Sequence, residues 1–224
     1  MTLPLSLLVL ESVLLVFTIL LLLDSIKEGR SRSRLLVEIQ RAAKTFTRLE
    51  YFLAVVDSMA DAGREVAGLI SGRFPSGTDR KRTKDIVNSI EKAGKAGVNV
   101  KYILPRFHDR LYIGCLYSNV GAEVRYSSCP TLHDLRYTLV DDGVTIIGVP
   151  EGTGEKEATK KGYKIISEGL NSVLREHFNN CWGHATPYAE YLREVIRETK
   201  ATPRQLALEL KIDEKDLEKF YKDI

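Results

Sequence analysis

This chain has little excess of charge of either sign. Its 224 residues carry 33 Lys+Arg against 30 Asp+Glu, a formal net charge of +3. A balance that close supplies no electrostatic argument for nucleic acid as a partner. Cysteine is scarce as well. Cys115, Cys129 and Cys181 are odd in number and widely separated, and no pair of them has metal-ligand spacing. They read as thiols outside any disulfide, which suits a reducing compartment. A G-x4-G-K-[ST] phosphate loop is also missing. No metal and no cofactor is expected. What is present, 44% hydrophobic and 28% charged residues, is the composition of a folded chain. The length holds one domain of ordinary size plus extra segments.

The long apolar run is at the front. Residues 3–23 read LPLSLLVLESVLLVFTILLLL. At 1.5 Å per residue such a helix reaches about 31 Å, close to the hydrocarbon thickness of a bilayer. A secretory signal wants basic residues ahead of the run and a small-residue cleavage site behind it. Neither is there, so residues 1–24 are expected to form a retained transmembrane anchor. Lys27, Arg30, Arg32 and Arg34 crowd its C-terminal side, which puts the N-terminus outside and the remainder in the cytoplasm. Glu11 interrupts the run. It is either a polar contact between neighbouring spans or a carboxyl that is protonated or placed at the headgroups.

Residues 25–62 are expected to hold a basic juxtamembrane stretch and a first amphipathic helix over 33–62. Leu36, Ile39, Ala43, Phe46, Leu49, Leu53 and Val56 form its apolar stripe, and Arg34, Arg41, Lys44 and Arg48 a basic face. Residues 63–184 read as an α/β domain with that helix packed on it. Strands are expected at 65–71, 98–104 and 122–126, and helices at 79–96, 107–118 and 161–182. In the last helix Ile165, Ile166, Leu170, Leu174 and Phe178 point inward. Residues 135–149 read as a hairpin around Asp141, Asp142 and Gly143. This alternation predicts a mostly parallel sheet flanked by helices.

The order of these parts resembles something specific. Ala93, Gly97 and VNVKYILP at 98–105 come first, then GAEVRY at 121–126, then RYTLVDDGVTIIG at 136–148. The set resembles one domain of the phospholipase D-like superfamily, over about residues 33–182, in a membrane-anchored prokaryotic and in particular archaeal form. The resemblance implies an H-x-K-x4-D motif followed by G-S-x-N. In active members the histidine is the nucleophile, and the lysine and asparagine hold phosphate oxygens. Two motifs meet across a pseudo-dyad, from one chain or from a homodimer. Aligned on that pattern, Asp141 matches the motif aspartate, Arg136 the lysine and Gly148 the glycine. Asp134 falls on the nucleophile, and His133 is one residue early, which on a strand is the opposite face. Val149, Pro150 and Glu151 stand where serine and asparagine are expected. The motif is therefore degenerate. His133, Asp134, Arg136 and Asp141 are the candidate catalytic residues, and hydrolysis is disfavoured because nucleophilic catalysis is specific to residue type.

A second candidate is the loop at 71–82, SGRFPSGTDRKR. Its glycines, hydroxyls and cations precede a helix N-terminus, which suits an anion. With Arg136, the residues Arg73, Ser76, Thr78 and Arg80 are the expected ligand-binding set; the plainer reading is a solvated loop with Thr78 or Asp79 as helix cap. Residues 185–224 read as a three-helix bundle capped by Thr202 and Asp213. Its last two helices, over 202–220, resemble the helix-turn-helix half of archaeal and bacterial regulators. The helix capped by Asp213 would be the recognition helix, and it is acidic, with Glu214, Asp216 and Glu218, so DNA is an unfavourable partner and protein contact is expected. Taken together, a membrane-anchored, catalytically inactive phospholipase D-like module is expected. It would bind a phosphate-containing ligand or scaffold a protein partner, with a homodimer expected. A phosphodiesterase (phospholipase or nuclease) with an altered site and a membrane-bound transcriptional regulator are the rivals.

Overall fold

Pairing rather than helix packing organises the chain. The computed structural model describes residues 44–77, 79–129, 135–150 and 159–221. All of them belong to one unit, Lys44–Ile224. Its strands are β1 (Lys44–Thr47), β2 (Glu65–Leu69), β3 (Asn99–Pro105), β4 (Glu123–Ser127), β5 (Arg136–Val140), β6 (Val144–Pro150), β7 (Thr159–Ile166) and β8 (Thr186–Pro187). They form one sheet in the order β1-β7-β6-β5-β2-β3-β4-β8. The helices are α1 (Arg48–Ala60), α2 (Asp79–Lys95), α3 (Leu111–Asn119), α4 (Glu168–Gly183), α5 (Tyr188–Thr199), α6 (Pro203–Leu210) and α7 (Glu214–Glu218).

The expected mostly parallel sheet is corrected. Only β2–β3 and β3–β4 run parallel; β1–β7, β6–β7, β5–β6, β2–β5 and β4–β8 are antiparallel. The helical crossovers through α2 and α3 enforce the parallel pairs, whereas the tight Asp141–Gly143 turn reverses the chain into an antiparallel hairpin.

Two helix assignments also change. Residues 159–166 form β7 instead of the start of a helix. Ile165 is 2% exposed and Ile166 is 69% exposed, so adjacent residues face opposite ways, as on a strand. β-branched and aromatic side chains favour that conformation, and β7 is paired on both edges, to β1 and β6. Ser167 then caps α4 by accepting from the Leu170 N–H. At the front, residues 44–47 are an edge strand, and the helix starts only after Thr47. Thr47 and Glu50 form a reciprocal capping box there. This start turns the helix so that Tyr51, Ala54, Val55, Ser58 and Met59 are buried, while Leu49 and Leu53 are exposed. The expected stripe through Leu49 and Leu53 is therefore not the core face.

Alternation along the strands divides the core between the two faces of the sheet. Val66, Val100, Tyr102 and Leu104 pack with α1, α2, α3 and α5 in the larger cluster. Ala67, Leu69, Ile103, Tyr137 and Leu139 pack with Leu174 and Phe178 of α4 in the smaller one. The C-terminal helices are continuous with the larger cluster through Leu192, Val195, Leu206, Leu210 and Leu217. Thr202 and Asp213 cap α6 and α7. Among the described residues no helix is long and apolar enough to cross a membrane; the apolar run at 3–23 lies outside them.

Candidate functional site

A cavity of about 170 Å³ opens on the α1–α2 side of the sheet, beyond the C-terminal end of β2. Three arginines line it. Arg48 comes from the first turn of α1, Arg73 from the loop after β2, and Arg136 from the start of β5. Asp79 is the one carboxylate among the lining residues. It begins α2 and is paired with Arg48 and with Arg82. Thr138, Thr159, Ser71 and Ser76 add hydroxyls, and Tyr51 and Phe52 add aromatic wall.

Local sequence explains each placement. Arg136 and Thr138 are two apart on β5, so both face the cavity, while Tyr137 between them faces α4. Arg136 is 4% exposed and donates from Nη1 to Thr159 Oγ1 at 3.3 Å. Gly72 has φ +57 and a Cβ there would collide with the Leu104 side chain, so glycine lets the loop turn back over the sheet. Gly148 pairs with Gly162 across β6–β7, and Tyr51 sits over both. The bare patch formed by the two glycines is what lets Tyr51 reach the cavity wall from α1.

The electrostatics follow from this crowding. Burial depresses the Arg136 guanidinium, the nearby Tyr51 phenol opposes that, and the charges of Arg73, Arg110 and Arg48 depress it further. Tyr51 itself is pushed up to about 12 by burial, against the pull of Arg136, so its phenol stays protonated. Converging cations with one carboxylate among them suit an anion carrying several acceptor oxygens, and arginine forks match phosphate geometry.

The sequence-derived candidates separate clearly. Arg136, Arg73 and Ser76 come together in the cavity. Arg80 does not; it is exposed on α2. Asp141 does not either. It lies beyond the far end of β5, about 17 Å along the strand from Arg136 at 3.4 Å per residue. There its carboxylate accepts from the N–H groups of Gly63, Arg64 and Glu65 at 2.9, 2.9 and 3.0 Å. Burial works to raise its pKa, but those three donors and the nearby Arg64 charge hold it below the usual carboxylate range. Asp141 is thus a staple between the hairpin turn and the start of β2. His133, Asp134 and Thr78 lie outside the described residues. Arg48 and Tyr51 are lining residues that the sequence does not single out as ligand groups. Arg48 reads there as part of a solvated basic face, and no local pattern ties α1 to β5.

The architecture can now be compared with known proteins. No protein-family model matches the chain, and no curated protein matches it. Solved structures do. A phospholipase D family member, Nuc from Salmonella typhimurium, aligns with a TM-score of 0.51 at 17% identity, over 65% of this chain and 97% of that one. The fold is phospholipase D-like. NucT from Helicobacter pylori aligns with a TM-score of 0.50 at 12% identity, over 65% of this chain and 98% of that one. In this phospholipase D-like fold the arginine cavity is built around Arg136.

Proposed function

We propose that the chain is a membrane-anchored phospholipase D-like module that holds a phosphate-bearing ligand at Arg136 without cleaving phosphodiesters. The observation that carries this reading is the cavity itself, where Arg136 is buried at the motif-lysine position beside Arg48 and Arg73. The lack of turnover rests on register. With Arg136 and Gly148 in their motif places, and paired to each other across β5–β6, the nucleophile position carries Asp134. Val149 and Pro150 occupy the end of β6 where the family's serine and its neighbour are expected. An aspartate at that position lacks the imidazole's ability to attack and then pass a proton on, and His133 stands one residue earlier in the sequence. Residues 3–23 would tether this module, with Lys27, Arg30, Arg32 and Arg34 at the cytoplasmic surface. Pairing through the motif face would make it a dimeric scaffold.

The test is ligand-dependent stability. Inorganic phosphate, glycerol phosphate and a dinucleotide are each titrated against the full chain and the unfolding midpoint is followed. A saturable rise that Arg136→Ala removes supports the reading. No rise with any of the three, or turnover of a phosphodiester substrate that Arg136→Ala abolishes, overturns it.

A further inference from the structure

Cys129, His177 and Cys181 meet on the α4 side of the sheet, across it from the arginine cavity. Their side-chain ligand atoms all lie within 4.8 Å of one another. Cys181 Sγ is 3.3 Å from Cys129 Sγ and 3.7 Å from His177 Nε2. Chain order alone hides this group. His177 and Cys181 are four apart on α4 and so share a helix face. Cys129 arrives from the loop just beyond β4, where its N–H donates to Ser127 Oγ at 3.1 Å. All three are half-buried, at the rim of the smaller apolar cluster.

We propose that Cys129, His177 and Cys181 form a binding site for a thiolate-preferring divalent cation, zinc by chemistry. Four features carry the assignment. The first is spacing. Thiolate sulfurs at about 2.3 Å and an imidazole nitrogen at about 2.0 Å from a tetrahedral ion stand about 3.8 Å (S–S) and about 3.5 Å (S–N) apart. The observed 3.3 and 3.7 Å come within about 0.5 Å of these, and the third pair, Cys129 with His177, lies within 4.8 Å, so the group closes on an ion by small side-chain movements. The second is donor set. Two sulfurs and one imidazole are the softness that selects zinc over calcium or magnesium.

The third is the histidine tautomer. The Tyr137 hydroxyl donates to the Leu174 carbonyl at 3.2 Å and stands 2.8 Å from His177 Nδ1. A phenol has one proton, so with that proton on Leu174 its oxygen accepts from Nδ1–H. This leaves the Nε2 lone pair aimed at the sulfurs, the orientation that an outer-shell hydrogen bond gives a metal-bound imidazole. Tyr137 is 0% exposed and is held from both sides of β5 by pairing, so this orientation is built in. The fourth is charge, since two thiolates neutralise a bound dication. The fourth coordination position would face solvent and take water.

This site is independent of the phosphate reading, because none of its residues lines the arginine cavity. The test uses the full chain, purified without oxygen, stripped with a chelator and titrated with Co2+. Saturation at about one equivalent, with a near-ultraviolet thiolate-to-cobalt band and the visible bands of tetrahedral cobalt, is expected. Zinc should displace the cobalt and bleach the spectrum. Cys181→Ser should remove the charge-transfer band. Tyr137→Phe should keep the band but weaken the apparent affinity about 10-fold or more. Circular dichroism of each variant separates a lost ligand from a lost fold. The proposal is overturned if the reduced wild-type chain shows no saturable cobalt spectrum, or if the Cys129→Ser/Cys181→Ser chain shows the same one. It is also overturned if two of the three thiols resist alkylation in the denatured, unreduced chain, since the pair is then a disulfide.

Discussion

Tyr51 lies so close to Gly162 that a Cβ on that glycine would stand 2.5 Å from Tyr51 Cδ2. The same ring is 3.1 Å from where a Cβ on Gly148 would be. Two glycines paired across β6–β7 thus set how deeply α1 seats on the sheet, and with it the position of the cavity wall. Gly162→Ala forces the ring outward. Overpacking of this kind costs about 1–3 kcal/mol. Urea unfolding should show that loss, and the phosphate-induced rise in midpoint should shrink as well. A Gly162→Ala chain that keeps both stability and phosphate response would show that Tyr51 does not set the wall.

Arg136 is the next point of leverage. It supplies a buried, charge-assisted donor set, and each such hydrogen bond is worth about 1.5–3 kcal/mol. Arg136→Ala should therefore weaken phosphate binding about 10- to 100-fold, read by isothermal calorimetry. Arg136→Lys should recover only part of the loss, because a lysine restores the charge without the planar fork. Arg80→Ala, by contrast, should leave binding unchanged, since Arg80 is exposed on α2 away from the cavity.

Asp141 tests the difference between a fold signature and a site. Its folded pKa is depressed, so its contribution is fully present above the unfolded value of about 3.9 and is lost as pH falls through the lower folded value. Asp141→Asn keeps one acceptor oxygen but drops the charge. At neutral pH it should lower stability by about 1–3 kcal/mol. The gap between the two chains should close below about pH 4. Phosphate affinity at neutral pH should not move. A loss of affinity without a loss of stability would return Asp141 to the site.

How far the sequence reveals this architecture depends on how local each signal is. The turn at Asp141–Gly143 and the strand pair around it are local, and the structure has them with Arg136 opposite Gly148. The caps at Thr202 and Asp213 are local too. β7 is not, because Ile165, Ile166 and Leu170 satisfy a helical step as well as a strand, and only the free edges of β6 and β1 decide between them. The sheet's antiparallel majority has the same origin, since strand direction is set by partners that are remote in sequence. In the cavity, Arg73 and Arg136 carry motif signals, whereas Arg48 and Tyr51 are recruited across α1 with none. The cysteine and histidine group left one trace, His177 and Cys181 four apart on a helix, that a search for cysteine pairs passes over.

The proposed tether makes a prediction that leaves the folded unit intact. Residues 1–24 lie outside Lys44–Ile224, the unit that carries the sheet and the cavity. Removing residues 1–24 should move the chain from the membrane fraction to the soluble fraction of cells while preserving the phosphate-dependent rise in midpoint. A truncated chain that still sediments with membranes and resists salt extraction would shift the anchoring role elsewhere.

The proposed reading also makes a prediction about turnover. Among the described lining residues the available nucleophiles are the hydroxyls of Ser71, Ser76, Thr83, Thr138 and Thr159 and the phenols of Tyr51, Tyr102 and Tyr117. None has a histidine beside it in that wall, and Tyr51 is held protonated at neutral pH. Cations that steady a phosphate bind ground state and transition state alike unless a nucleophile and a proton donor act with them. The purified chain should therefore release no nitrophenol from bis(p-nitrophenyl) phosphate above the buffer rate, from acidic to neutral pH. His133→Ala and Arg136→Ala should leave that baseline where it is. A rate above baseline that both substitutions abolish would place His133 in the cavity with Arg136 and make the chain a phosphodiesterase.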